Sequence, residues 1–425
     1  MNRCSGLKNL TGPLMTIFIL GAFLFPPAAR GFDSGYPEEP ERFDSEYYLD
    51  MLTMRQDRGW RALSDSRDNI FTLDFGSLNV EQWVLLQSLK FSAPLSGNLR
   101  FRYWLEEKKT LGPEGIERNE LEIEWNSWRN LFVSFYLQPA FWKRENDIGA
   151  GIQIREEVDS YWKLIFRIRD FANNFAYRHG DNIEGEENIY TRQPLEVELE
   201  AVDQRGRPLR YGVSAIFSTR WEKEFRFIDS PEDNYTSEGY ERALKSWIEV
   251  DLWGRYLFFL DAGYAEYFSR VDNREQMHTV AELMPGLWWY PGGAGKGRED
   301  PWKLGEGEAA FSAGIQLRRE EWESTGGEEG RFDKDEYLPF LLARYSPSSW
   351  YMLEAGYLAD RFESSRTGRG AGSDLRWENR LKLMWEIRMG GRGFLRIIET
   401  VDLDSDDWGQ FSVHDHFFLM TRITF

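Results

Sequence analysis

From about Asn69 onward, apolar and polar residues alternate with a period of two in one short segment after another. Leu99, Phe101, Tyr103 and Leu105 fall on one side of such a segment, with Arg100, Arg102 and Trp104 on the other. Leu121, Ile123 and Trp125 alternate with Glu120, Glu122 and Glu124. Trp162, Leu164, Phe166 and Ile168 alternate with Lys163, Ile165, Arg167 and Arg169, and Leu195, Val197, Leu199 and Ala201 with Glu196, Glu198 and Glu200. The pattern recurs near Leu209–Phe217, Ala309–Leu317, Tyr337–Tyr345 and Leu381–Met389. Successive side chains of a strand point to opposite faces, so each segment predicts a strand with one apolar and one polar face. Helical spacing is confined to the polar stretch 32–68, where Asp44 is placed to cap a short helix carrying Tyr48, Met51, Leu52 and Arg55.

Alternation of this kind fits a soluble sandwich or propeller with its apolar faces inward. It also fits a membrane barrel with its apolar faces outward. Link lengths favour the barrel. Tight links at Ala93–Gly97, Ser127–Asn130, Glu157–Ser160, Asp203–Pro208, Trp253–Arg255, Ser346–Ser349 and Met389–Gly393 alternate with long acidic ones. The long links are expected at Glu107–Glu117, Phe171–Gln193, Trp221–Ala243, Glu320–Asp335, Arg361–Asp374 and Asp402–Val413. Short periplasmic turns and long outer loops alternate in the same way. Trp289–Gly307 breaks the rule: it is long where a short turn is due. Tryptophan placement agrees with a barrel, with Trp128, Trp253 and Trp350 at tight links and Trp142, Trp221, Trp322 and Trp408 beside long ones. This predicts two girdles at the membrane boundaries.

Composition narrows the choice further. The 425 residues include 18 Trp, 19 Tyr and 30 Phe, while a mean hydropathy of -0.57 excludes a polytopic helical transporter. The strongest apolar run, Leu14–Phe25, follows Arg3 and Lys8 and precedes small residues ending in Ala29-Arg30-Gly31. That is the layout of a secretory signal peptide over residues 1–31. Cys4 lies within it, so the exported chain is expected to fold without a disulfide. A net charge of -19 speaks against nucleic acid as a partner.

The C-terminal segment is the most specific feature. Phe417, Leu419, Thr421, Ile423 and Phe425 alternate with Phe418, Met420, Arg422 and Thr424, and the last residue is aromatic. This resembles the terminal strand of bacterial outer-membrane β-barrel proteins. Counting the alternating segments gives about 16–18 strands, and the resemblance implies an all-β, antiparallel up-and-down barrel over residues 69–425, located in the bacterial outer membrane. It also implies that Phe417, Leu419, Ile423 and Phe425 are read by the barrel-assembly machinery, and that lipid surrounds the outer face.

With the apolar faces to lipid, the inward candidates are Arg100, Arg102, Lys163, Arg167, Arg169, Arg210, Arg318, Lys382, Arg388 and Arg422, together with Glu120, Glu122, Glu124, Glu196, Glu198, Glu200 and Glu386. Ten basic against seven acidic positions lean the interior toward anions. Rows of opposite sign on sequential strands are expected to pair, or to form a basic wall facing an acidic one. Trp104, Phe132, Tyr136 and Tyr161 join the inward set and suit stacking on sugar rings. The charged interior is similar in character to alginate-export-type barrels. A porin-like channel for small polar or charged solutes is therefore expected, with an oligosaccharide or other substrate-specific conduit as the alternative. An outer-membrane enzyme or adhesion scaffold is a third reading.

Enzyme chemistry has little support. No serine lies in a nucleophile-elbow motif, and His179, His278, His414 and His416 do not form a triad pattern. His414-Asp415-His416 reads as a solvated strand end rather than a metal site. Asp402, Asp404 and Asp406 mimic the start of a calcium loop, but Asp407 stands where glycine is required and Val413 where the bidentate glutamate is required. No metal, cofactor or catalytic residue is expected.

Overall fold

The computed structural model describes the chain from Ile70 to Thr424, apart from the links 78–82, 111–116, 139–146, 158–159, 172–185, 204–207, 228–230, 294–303, 327–329, 368–370, 390–392 and 405–413. The expected signal peptide, the expected helix within 32–68, and Phe425 lie outside the described residues, as do Trp142, His179 and Trp408.

Period-two alternation is realised as antiparallel strands throughout. The first group is β1 (Ile70–Ser77), β2 (Trp83–Pro94), β3 (Leu99–Thr110), β4 (Glu117–Trp128), β5 (Leu131–Gln138), β6 (Asp147–Glu157) and β7 (Ser160–Ile168). Next come β8 (Glu186–Arg192), β9 (Leu195–Asp203), β10 (Leu209–Ser218) and β11 (Trp221–Phe227). A taller group follows: β12 (Tyr235–Leu252), β13 (Tyr256–Val271), β14 (Arg274–Trp289), β15 (Glu308–Thr325), β16 (Gly330–Ser348), β17 (Tyr351–Thr367) and β18 (Gly372–Arg388). The last two are β19 (Gly393–Asp402) and β20 (His414–Thr424).

Two pairs of these are single staves with a kink. β8 runs into β9 across Gln193-Pro194, and β10 into β11 across Thr219-Arg220. The kinks lie opposite each other: Thr219 N–H donates to Leu195 O at 2.8 Å, and Leu195 N–H to Thr219 Oγ1 at 3.0 Å. Unbroken β12 pairs with both β10 and β11. Counted as staves, the described strands number eighteen, each paired with its sequence neighbours. β1 pairs with β2 on one side and β20 on the other, Phe71 opposite Ile423 and Phe75 opposite Leu419. That last pairing closes the ring, which leaves no edge strand and satisfies the backbone groups that lipid could not.

The two faces of the ring differ as the alternation predicts. Ile123, Trp125, Phe135, Ile152, Trp162, Phe166, Leu199 and Leu341 are exposed on the outer face, while Glu120, Glu122, Glu124, Gln153, Arg167 and Glu336 are buried on the inner one. On β16 the outward Tyr337 and Tyr345 bracket Pro339, Leu341 and Ala343. They are eight residues apart, about 26 Å along the strand, which after tilting spans most of an apolar band about 25 Å tall.

Two expectations, one about links and one about girdles, change. The links expected at Trp221–Ala243, Glu320–Asp335 and Arg361–Asp374 are mostly strand: β11 and β12, β15 and β16, and β17 and β18 run through them. The expected link Phe171–Gln193 likewise ends in β8. The 19 residues of β16 cover roughly 60 Å along the strand, well beyond the band. Above the bilayer both faces of a strand meet water, so the apolar alternation disappears although the hydrogen-bond ladder continues. Outward Arg331 and Asp333, 2.8 Å apart, belong to that wet extension. The upper girdle also differs. Trp128, Trp253 and Trp350 are exposed at the tight-link rim as expected. Trp221, however, lies on the inner face over Gly239, and Trp322 takes an inward register position opposite His278. Outward Tyr264, Tyr337 and Tyr357 mark the other boundary instead. Finally, the irregular link after β14 is long: β14 ends at Trp289 and β15 begins at Glu308, whereas β13 turns into β14 through Asp272-Asn273 alone.

Candidate functional site

Closure of the ring carries the polar face of every stave inward, so the interior is the candidate site. Its charges form two networks, one on each group of strands. On β3 to β9, Arg102 reaches Glu122 and Glu124 at 3.1 Å each, and Arg155 reaches Glu124 at 2.8 Å. Arg167 sits among three carboxylates, Glu120 and Glu196 at 3.2 Å and Glu198 at 2.5 Å. Ser134 Oγ donates to Glu122 at 2.6 Å, and Tyr161 Oη to Glu200 at 3.0 Å. Lys163 and Arg167 both lie over the Tyr136 ring.

The second network occupies β14 to β19. Lys382 pairs with Glu354 at 2.9 Å, and Arg344 pairs with the same carboxylate. Arg318 lies 3.2 Å from Glu320 and 4.0 Å from Glu336, and His278 Nε2 shares a hydrogen bond of 2.7 Å with Glu320. Glu386 holds Arg388 and Arg396 at 2.8 and 2.7 Å. Pairs of the second network lie within one strand or between neighbouring ones, whereas in the first Arg155 and Arg167 on β6 and β7 reach across to β4. Cations and carboxylates are intermixed in both networks, and among the described residues the expected basic wall facing an acidic wall does not form.

The remaining inward candidates fall into place around the networks. Arg100 donates to Ser92 Oγ at 3.3 Å, and Arg210 pairs with Glu249 at 2.9 Å. Arg169, more exposed, bridges Glu196 and Glu241 at 3.7 and 3.3 Å. Arg422 lies near the Phe394 ring. Phe417, Leu419 and Ile423 take outward positions on β20. His278 is occupied by Glu320 as stated, Asp404 accepts from Asn379, and the ring atoms of His414 and His416 lie outside the described side chains.

Sequence reading missed Arg155, Glu320, Lys334, Glu336, Arg344, Glu354, Asp360, Arg380 and Arg396, all inward. The signal was hidden by an apolar interior. Leu257, Phe259, Met284, Trp288, Leu338, Phe340, Leu342, Met352, Leu358, Met384 and Ile398 pack together on the inner side of β13 to β19. Where both faces of a strand are apolar, as over Leu338–Ala343, period two is lost and single charges cannot be assigned a side. The buried side chains of the described residues include ten carboxylates against five cations. That reverses the anion lean drawn from the candidate count.

Glycines shape the apolar wall. Gly286 on β14 and Gly314 on β15 are register partners, and the end of the Phe259 ring occupies the space a Cβ at Gly286 would take. The Phe340 ring does the same at Gly314. The two rings meet over the glycine pair with centroids 6.5 Å apart and planes 15° from parallel. The link after β14 joins the same cluster. Tyr290 and Leu304 are 7 % exposed within it, and Arg388 on β18 donates to Leu304 O at 3.1 Å. That contact carries the end of the link inward, against the inner wall.

A closed antiparallel ring, apolar outside and charged inside, is now complete. The fold is that of bacterial outer-membrane β-barrel proteins. Solved structures similar to this barrel include the outer-membrane protein OmpT of Vibrio cholerae in its trimer form, at 12% identity and a TM-score of 0.41, covering 84% of this chain and 98% of that one. The outer-membrane protein OpdK of Pseudomonas aeruginosa is similar at 10% identity and a TM-score of 0.39, covering 84% and 98%. A bacterial polysaccharide outer-membrane secretin is similar at 9% and 0.37, covering 84% and 97%. No family model matches the chain, and no curated protein matches it in sequence.

Proposed function

We propose that this barrel is a porin-like channel of the outer membrane, passing small polar or charged solutes down their gradients without catalysis. One observation carries the reading: the inner face is clad with paired charges while the outer face is apolar. A carboxylate or guanidinium held inside a ring of eighteen staves needs water as well as its partner, and a barrel of this width has room for it. In this reading Arg102, Arg155, Lys163, Arg167, Glu120, Glu122, Glu124, Glu196 and Glu198 face the pathway on one side. Arg318, Lys382, Arg388, Glu354 and Glu386 face it on the other. Residues 1–31 direct export, and the terminal strand is recognised by the assembly machinery.

The test is conductance of the purified, folded barrel in a planar bilayer, with reversal potentials across a salt gradient. Discrete open steps with a mild cation preference are expected, because buried carboxylates outnumber buried cations. Folded barrel that never opens would remove the channel and favour a scaffold or an enzyme. The apolar patch around Phe259 and Phe340 favours a second reading, a conduit selective for one solute class.

A further inference from the structure

Two polar side chains on β15 stand out within the apolar wall. Gln316 is 1 % exposed, and among the described residues neither its amide nitrogen nor its carbonyl oxygen has a hydrogen-bond partner; the Ser312 hydroxyl, 4 % exposed, also lacks one there. Gln316 lies opposite Leu338 and beside Met284, each 0 % exposed. Two positions along the same face is Gly314, over which the Phe259 and Phe340 rings meet. A buried amide with both ends unbonded is costly, and a mere filler position would be filled by leucine. Its persistence on an inner wall is explained if a passing molecule supplies the missing bonds.

The surroundings define that molecule. The two near-parallel rings, 0 % and 3 % exposed, lie under neighbouring side chains, and a ring face is presented to a solute once one of these moves aside. An amide donor, an amide acceptor and a hydroxyl beside that surface suit groups that both donate and accept. Charge offers little, because Arg318 is matched by Glu320 and Glu336, and Arg344 and Lys382 by Glu354. We propose that the inner wall of β13 to β16 is a subsite for a neutral polyhydroxylated ring, a saccharide. One face stacks on Phe259 and Phe340, and the hydroxyls bond Gln316 and Ser312. The solute takes the place of Met284, whose unbranched side chain moves at low cost. The assignment rests on the channel reading only for how the solute arrives.

Binding and conduction are therefore measured separately. Detergent-folded full-length barrel is titrated calorimetrically with maltotriose, and the same preparation is examined in a planar bilayer with maltotriose added. Wild type is expected to bind and to show sugar-dependent interruptions of current. Phe340→Ala and Gln316→Leu should each weaken binding by about three- to tenfold, the range for loss of one ring contact or one hydrogen bond. Met284→Ala should strengthen it. Phe340→Leu, which retains bulk without a ring face, carries the test if the alanine variant fails to fold. Equal affinity across these variants, no heat at all from wild type, or binding of catechol in place of maltotriose would overturn the saccharide subsite. Barrel that binds maltotriose but conducts no current keeps the subsite and removes the channel. Barrel that conducts without binding removes the subsite alone.

Discussion

At the scale of single residues, this interior is set by what its glycines permit. Gly286 and Gly314 lack the atom that would lift Phe259 and Phe340 away from the wall. Gly212 under Trp247 and Gly239 under Trp221 repeat the arrangement elsewhere on the ring. Gly286→Ala should push the Phe259 ring off its place, costing roughly 1–3 kcal/mol of strain and narrowing the lumen locally. A lower midpoint of unfolding in denaturant, with smaller unit conductance, is the expected result. Adding Phe259→Ala to Gly286→Ala should recover the conductance, since the displaced ring is then gone. Conductance unchanged by Gly286→Ala would show that the ring has somewhere else to lie. None of this was legible from sequence, because a glycine in a strand reads only as a weak point until its cross-strand neighbour is known.

At the scale of elements, the strands were legible wherever bilayer and water lay on opposite sides of them. Leu121–Trp125, Trp162–Ile168 and Leu195–Glu200 carry the alternation and form strands with the predicted facing. The parts of β11, β12 and β15 to β18 above the bilayer look like loops in the sequence, for want of any contrast between their two faces. The band can be mapped by charge. Ile123→Arg and Leu341→Arg place a cation against lipid and should cost roughly 2–4 kcal/mol each near the midplane. Glu321→Arg, on the outer face of β15 above the band, should cost little. Equal penalties at all three sites would mean that the outer face of β15 to β16 stays in lipid along its full height. The link after β14 is testable in the same way. Arg388→Ala removes the hydrogen bond that holds Leu304 O to β18, and should raise current noise while leaving heat-modifiable mobility unchanged. Identical noise in wild type and variant would leave that contact without influence on the pathway.

At the scale of the whole molecule, fold class and strand number followed from repetition. Tight links and an even count of staves both describe one ring, and each residue class contributes through its face alone. The interior did not follow, since which charges meet depends on register, and register across eighteen staves is invisible in any one segment. Removing β20 from His414 onward should prevent stable insertion. Protease-resistant, heat-modifiable barrel recovered without it would contradict the closure by β1. That closure has a kinetic consequence. Ile70 pairs with Thr424, so residues more than three hundred positions apart must meet before β1 and β20 are paired on both sides. Contacts of such long range are slow to form, because the chain between them must first be brought to order. The last strand made is thus the one on which the first strand, and with it closure of the ring, waits. The seam it makes is also the natural place to re-cut the chain: joining the two ends there and opening another tight link, such as Trp253–Arg255, would give a circular permutant with the same ring and a different order of assembly. Its insertion rate, compared with that of the parent, would report how far the order of arrival limits folding.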